Sequence, residues 1–280
     1  MGKTGCPVVF WAWRKRPSFV MRGIQIADAL SRLGVRTEVR VGPSCIALQG
    51  VHDSVIVCVK SCPRFNGWLR RRGNRIVYDA IDFTALRGIP AHADVVITGS
   101  EYMRSRLQER LNPRSVVKTV YHHADPQVRP HKAGEEALRL AYLGAKESSK
   151  FIKGEIPELN VVSFAQSHDW REEIRNYNAH FSARMDPYKS VVKLANAAAS
   201  EAVFLTGAEP GCVELLGEDY PFFLRDPENL DQVRKDVKNL KDAVGTALWK
   251  NAGERIREAR SRLTIEASAR AYEKLIADLP

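Results

Sequence analysis

The chain has 280 residues, of which 44% are hydrophobic and 27% charged, and its formal net charge is +10. That length allows one large α/β domain or two of ordinary size, and the balance is that of a soluble globular protein. No apolar run approaches the ~20 residues of a membrane-spanning helix.

The opening MGKTGCPVVFWAWRKRP has too short an apolar stretch for a secretory signal. Cys6 stands where a myristoylation signal wants Ser or Thr. Cys58 and Cys62, with three residues between them, lack the second pair or histidine of a zinc site. With Cys6, Cys45 and Cys212 they read as reduced thiols of a cytoplasmic protein. Charge is uneven along the chain. Residues 1–132 carry 22 Lys and Arg against 9 Asp and Glu, a net +13, whereas residues 133–280 carry 21 against 24, a net −3. The first half therefore suits an anionic partner: a lipid-linked acceptor, a membrane face or a nucleic acid.

In chain order, the first half offers strands at PVVFWAW, VRTEVRVG, DSVIVCVK, RIVYDAID, ADVVITGS and SVVKTVYHH. Helical patterns at RGIQIADALSRLG, FNGWLRRRG and SEYMRSRLQERLN lie between them. The strands are too continuously apolar for one-sided burial, so the alternation predicts βαβ units in a parallel sheet covered on both faces. The stretch ADPQVRPHKAGEEA at 124–137 reads as a linker of Pro, Gly and charge. Alternation then resumes with LRLAYLG, LNVVSFAQ, HDWREEIRNYN, AHFSARM, AVFLTG and YPFFLRD, and the last fifty residues are helical. The expected fold is α/β, with two Rossmann-like, doubly wound domains facing a cleft. Residues 1–130 form the first, and residues 131–280, with the terminal helices, form the second.

In such folds ligands lie beyond the carboxyl ends of the strands, where helix N-termini point N–H groups outward. Three places in the second half fit. After LRLAYLG come Lys146, Lys150 and Lys153; after AHFSARM come Lys189 and Lys193, expected on adjacent turns of a helix start. After AVFLTG, Gly211 permits close backbone approach and Glu214 is expected in the first turn of a helix. Lysines and dipoles would hold a diphosphate while a carboxylate takes sugar or ribose hydroxyls. The bland alternatives are solvated lysines and an acid that complements the helix dipole.

The stretch YKSVVKLANAAASEAVFLTGAEPGCVELLG resembles the donor-domain motif of GT-B glycosyltransferases, especially the family 4-like enzymes of bacterial polysaccharide assembly. SFVMRGIQIADALSRLG is similar to that group's first loop and helix, which makes Arg22 and Gly23 acceptor-side candidates. ADVVITGSEYMRSRLQERL with VVKTVYHHAD resembles the end of its acceptor domain, and TIEASARAYEKLIADL its closing helix. The resemblance implies sugar transfer from a nucleotide-sugar donor to a glycan or lipid-linked acceptor. No cofactor or catalytic metal is implied, because lysines and dipoles stabilise the leaving diphosphate. Many retaining members carry two glutamates; here Asn196 stands in the place of the second and Tyr188 in that of the first, so retention and inversion both stay open.

An inverting enzyme needs a base on the acceptor side. YDAIDF puts Asp79 and Asp82 at a strand's carboxyl end, with Asp82 the candidate base and Asp79 nearer the strand. Loop-capping aspartates are the alternative. His122 and His123 are adjacent, so on a strand they would point to opposite sides. His122 is either a contact to the donor or a packing histidine. Arg70, Arg71, Arg72 and Arg75 beside Trp68 suggest a peripheral site at the inner membrane face, against the alternative of a solvated charge run. A non-catalytic, glycosyltransferase-like binding protein is the first rival reading. A nucleic-acid-binding protein is weaker because no aromatic platform interleaves with the basic residues. A dinucleotide oxidoreductase is weaker again, for want of a G-x-G-x-x-G.

Overall fold

The computed structural model describes residues 5–63, 66–81, 93–111, 116–144, 155–163, 167 and 169–279. The chain divides into two compact units. The first contains a six-stranded sheet of β1 (Val8–Ala12), β2 (Thr37–Val41), β3 (Val55–Val59), β4 (Arg75–Asp79), β5 (Val95–Thr98) and β6 (Val116–Thr119). Every pairing is parallel, in the order β2-β1-β3-β4-β5-β6. β1, β3 and β5 are buried along their whole length, as a sheet covered on both faces requires. Alternate residues divide between two cores. Val8, Phe10 and Val57 join one, and Val9, Trp11 and Ile56 the other.

Between these strands lie helices of four or more residues, α1 (Ile26–Arg32), α2 (Ser44–Ala47), α3 (Asn66–Arg71) and α4 (Glu101–Gln108). A π-helical turn, Val20–Gln25, leads into α1. Gly23 sits in that turn against Phe19, where a Cβ would come within 2.4 Å of the ring, so only glycine fits without displacement. Ser100 caps α4 by accepting a hydrogen bond from the Met103 N–H.

The second unit has four parallel strands: β7 (Leu140–Leu143), β8 (Leu159–Val162), β9 (Ala179–Ser182) and β10 (Val203–Thr206), in the order β10-β9-β7-β8. Its helices of seven or more residues are α5 (Val192–Ser200), α6 (Pro210–Leu216), α7 (Leu230–Asp242) and α8 (Ala247–Arg260). Ala195, Ala197 and Ala198 of α5 are fully buried, which lets that helix lie close to its neighbours. YPFFLRD does not add a full strand: Phe223 makes a single parallel bridge to Thr206. Nor is 124–137 a free linker. Ala124 N–H donates to Leu263, His131 N–H to Ser200 and Asn178 Nδ2 to Gly134, so the stretch is fastened to the second unit.

The last helix, α9 (Ile265–Ala277), belongs with the first unit, not with the second as chain order suggested. Ile265, Ala269, Tyr272, Leu275 and Ile276 enter the core formed by Phe10, Ile26 and Leu30. The exchange is driven by burial: a 3.6-residue apolar stripe must be covered, and α1 and β1 supply the surface that covers it. Tyr188–Ser190 also cluster with the first unit, Tyr188 lying 6.4 Å from the Tyr102 ring.

Strand order reverses between β1 and β3 in the first unit and between β7 and β9 in the second. Such switch points open a crevice at the carboxyl ends of the strands. Each unit therefore offers one place where a ligand is best received.

Candidate functional site

At the carboxyl end of β9, two residues past Ser182, Arg184 meets Glu209 in a two-pronged ion pair. Arg184 Nε donates to Oε1 at 2.9 Å and Nη2 to Oε2 at 3.2 Å. The same Oε1 accepts the Asp186 N–H at 3.0 Å, so Glu209 also fixes the loop that follows β9. Glu209 is the residue immediately before α6, whose first position is Pro210. Proline is preorganised for that position, so the helix starts there and its cap lands on Glu209. Gly207, just before, allows the β10 end to approach the β9 loop: a Cβ there would come within 2.5 Å of the Arg184 carbonyl.

Lys193 stands beside this pair in the first turn of α5, which has no side-chain cap to satisfy its leading N–H groups. Its Nζ lies 3.8 Å from the centre of the Tyr142 ring, on β7 across the switch point. Burial, reinforced by the positive charge of Arg184 and opposed by Glu209, brings the Lys193 pKa down to about 7. Burial raises the Glu209 carboxyl above its ordinary value, against the pull of Arg184. Burial also pushes the Cys212 thiol, one turn into α6, up to about 12, so it is no nucleophile near neutrality. The switch point thus gathers one fixed cation, one cation titrating near neutrality, one carboxylate and an uncapped helix start. Chemically, it can hold an anion with two negative groups and accept a hydrogen bond from a neighbouring hydroxyl.

Of the sequence candidates, Lys193 lies in this cluster. Lys189 does not share its helix; it occupies the turn before α5, which starts only at Val192. Gly211 is buried in the opening turn of α6. Glu214 lies in the second turn, not the first, because Pro210 sets the helix start. The buried Asn196 accepts the Asp125 N–H with its Oδ1 at 3.2 Å, and Asp125 in turn pairs with Arg171 at 2.8 Å. That chain of contacts ties the segment after β6 to α5. Lys146, Lys150, Lys153 and Asp82 lie outside the described residues.

In the first unit, Arg22 and Asp79 bind each other. Arg22 Nε and Nη2 donate to the two carboxylate oxygens of Asp79 at 2.8 and 3.2 Å, and both side chains are buried. Tyr272 of α9 donates its hydroxyl to Asp79 at 2.5 Å, and the Arg22 guanidinium lies 5.3 Å from the centre of that ring. Arg22 Nη1 also donates to the Val120 and Tyr121 carbonyls. Both Asp79 oxygens are engaged, so the pair locks the core at the carboxyl ends of β4 and β6. His122 and His123 fall beyond the end of β6, so strand alternation does not separate them: their rings are 5.5 Å apart. His122 is buried, with Nδ1 2.9 Å from the His123 carbonyl, while His123 Nε2 is 2.9 Å from Gln25 Oε1.

The basic helix α3 lies on the other side of its sheet from these residues. Its arginines lie at its C-terminal end, just before β4 begins, and so at the amino edge of the sheet. Arg70 pairs with Asp94 at 2.9 Å, and Arg72 stacks 4.7 Å from the Trp68 ring centre.

Sequence reasoning missed Arg184 and Glu209. The signals were an arginine two residues past a buried strand end and a glutamate directly before a helix-opening proline.

No protein-family model matches the chain, and no curated protein matches it. Solved structures do. A glycosyltransferase from Rickettsia africae ESF-5 superposes with a TM-score of 0.72 at 12% identity over 98% of each chain. Sucrose-phosphate synthase from Thermosynechococcus elongatus gives 0.71 at 12% identity, covering 98% of this chain and 99% of that one. Anabaena HepE in complex with UDP gives 0.70 at 10% identity over 98% and 100%. With UDP-glucose bound, it gives 0.62 at 11% identity over 97% and 99%. These likenesses establish the fold as two parallel-sheet α/β domains of the GT-B type.

Proposed function

We propose that the protein is a glycosyltransferase that moves a sugar from a nucleotide-sugar donor to a glycan or lipid-linked acceptor. One observation carries this reading: Arg184, Lys193 and Glu209 converge at the switch point of the second unit, on a fold whose Anabaena neighbour is solved with UDP and UDP-glucose. Arg184 and Lys193 take the diphosphate, and Glu209 orients Arg184 and receives a sugar or ribose hydroxyl. The two side chains supply the positive charge that the leaving diphosphate needs, so no resident metal is invoked. Lys189 is a further donor-side cation, Asp82 the acceptor-side base, and the enzyme works in the cytoplasm.

Calorimetry with UDP and UDP-glucose tests the donor site. Arg184→Ala and Lys193→Ala should each weaken binding by about 1–3 kcal/mol, the worth of a charged hydrogen bond. Affinity unchanged in both variants would remove the proposed site, and affinity unchanged by EDTA would agree with charge supplied by side chains.

Binding without transfer is the second reading, favoured by the engagement of both Asp79 oxygens with Arg22 and Tyr272. Release of UDP from UDP-glucose, lost in Asp82→Asn, would decide for the enzyme.

A further inference from the structure

The first unit carries a surface feature that the donor site does not use. β1 ends at Ala12, and the next four residues, Trp13, Arg14, Lys15 and Arg16, are all exposed at the carboxyl edge of the sheet. Trp13 shows half of its surface to solvent. Among the described residues, the side chains of Arg14, Lys15 and Arg16 make no hydrogen bond or ion pair. They differ in this from Arg70, which Asp94 neutralises, and from Arg72, which stacks on Trp68.

Beside them runs the edge strand β2. Val41 pairs with Ala12, and the Gly42 N–H donates to the Ala12 carbonyl at 3.1 Å, which brings the start of the 42–46 segment next to the end of β1. Val41 is 45% exposed and Ile46, on α2, 69%. An edge strand is ordinarily protected by charge or by cover, and exposed large aliphatic side chains at its end are costly in water. Three cations without a partner among the described residues, an exposed indole and two exposed aliphatics therefore share one corner.

We infer that this corner is a docking surface for an anionic lipid membrane. Cations gather at the headgroups while indole and aliphatic side chains enter the boundary with the acyl chains. A nucleic acid would meet the three charges and leave Val41 and Ile46 in water, whereas a bilayer uses both kinds of group. Neither signal alone anchors a protein firmly, and together they do. Docking in this way would bring the carboxyl edge of the β1/β3 switch point to the bilayer. The surface stands independently of the transferase reading, and its test measures binding alone.

The test is sedimentation of the full chain with vesicles of phosphatidylcholine, or of phosphatidylcholine mixed with phosphatidylglycerol, at low and high salt. Binding is expected to the anionic vesicles, with a blue shift of Trp13 emission that Trp13→Phe removes. Changing Arg14, Lys15 and Arg16 together to Ser should lower the partition coefficient roughly 100-fold, at about one kcal/mol per cation. Trp13→Ser with Ile46→Ser should abolish the part of the binding that survives high salt. Arg70, Arg71 and Arg72 changed together to Ser should bind like the parent. Equal binding to neutral vesicles would overturn the inference, as would full binding by the 14–16 variant. So would displacement by a DNA duplex combined with full vesicle binding by the Trp13→Ser, Ile46→Ser variant, which would assign the surface to nucleic acid.

Discussion

Arg184 and Glu209 hold each other through two hydrogen bonds, and Glu209 is at the same time the residue that opens α6 and the acceptor for the Asp186 N–H. One carboxylate therefore fixes a cation and a loop from the residue that precedes a helix. Glu209→Ala should cost about 1–3 kcal/mol of stability, because it takes a carboxylate acceptor away from a half-buried guanidinium and a backbone N–H. Glu209→Gln keeps a carbonyl oxygen for both donors and should cost less. Thermal melts of the two variants measure the difference; equal losses would mean that the hydrogen bonds do not carry the effect.

Lys193 makes donor binding depend on pH. Its pKa of about 7 is set first by burial, then by Arg184, with Glu209 holding it up and the Tyr142 ring beneath the ammonium. The charged form attracts a diphosphate, so UDP affinity should fall as pH rises through about 7. The bound anion should favour protonation, so binding near that pH takes up a proton. Lys193→Met should flatten the profile. Glu209→Gln should move its midpoint to lower pH, because the group that raises the Lys193 pKa is gone. Calorimetry in buffers of different ionisation enthalpy reads both effects.

Arg22, Asp79 and Tyr272 form a buried unit whose members need one another. Asp79→Ala should destabilise the protein by about 3–5 kcal/mol, since it strands a guanidinium buried among β4, the segment after β6 and α9. Tyr272→Phe removes one hydrogen bond and should cost about 1–2 kcal/mol. Urea unfolding of the two variants checks the order, and a loss in Tyr272→Phe as large as in Asp79→Ala would contradict it.

Acid should weaken the second unit through His180. This histidine is fully buried on β9 with Nε2 unpartnered among the described residues, and burial, aided by the charge of His131, takes its pKa down to about 3. The folded state keeps it neutral while the unfolded chain protonates it near 6.5, so stability is complete above pH 6.5 and is lost as pH falls toward 3. The loss from this group amounts to roughly 3–5 kcal/mol. His180→Leu should reduce the acid sensitivity across that window in melts taken at successive pH values.

The strands were legible because parallel strands buried on both faces write themselves as unbroken apolar runs: VVFWA, VIVCV and VVIT need no partner to be recognised. The destination of α9 was not legible. Its apolar stripe announces a helix with one buried side, and nothing in a stripe says which sheet will cover it. Arg22 was read as a site residue from the resemblance of its loop and Asp79 from its place at a strand's carboxyl end, whereas the two meet as a pair closed within the core. Glu209 escaped notice because Gly211 and Glu214 drew the reading of that segment, although Glu-Pro already marked the start of α6. Among the described lysines only Lys193 combines a first-turn position with an aromatic neighbour from another strand, and that neighbour is a property of the fold.

The return of α9 to the first unit fixes an order of events during synthesis. β1 and α1 leave the ribosome early, but the surface they present through Phe10, Ile26 and Leu30 is completed only by Ile265–Ala277. At usual elongation rates the intervening chain takes on the order of 10 s to appear. For that interval the half made first must wait with its core open, while the second unit, contiguous apart from the short excursion at Tyr188–Ser190, already has most of what it needs to close. The earliest segment of this chain is therefore among the last to finish folding, and the one most in need of protection until then.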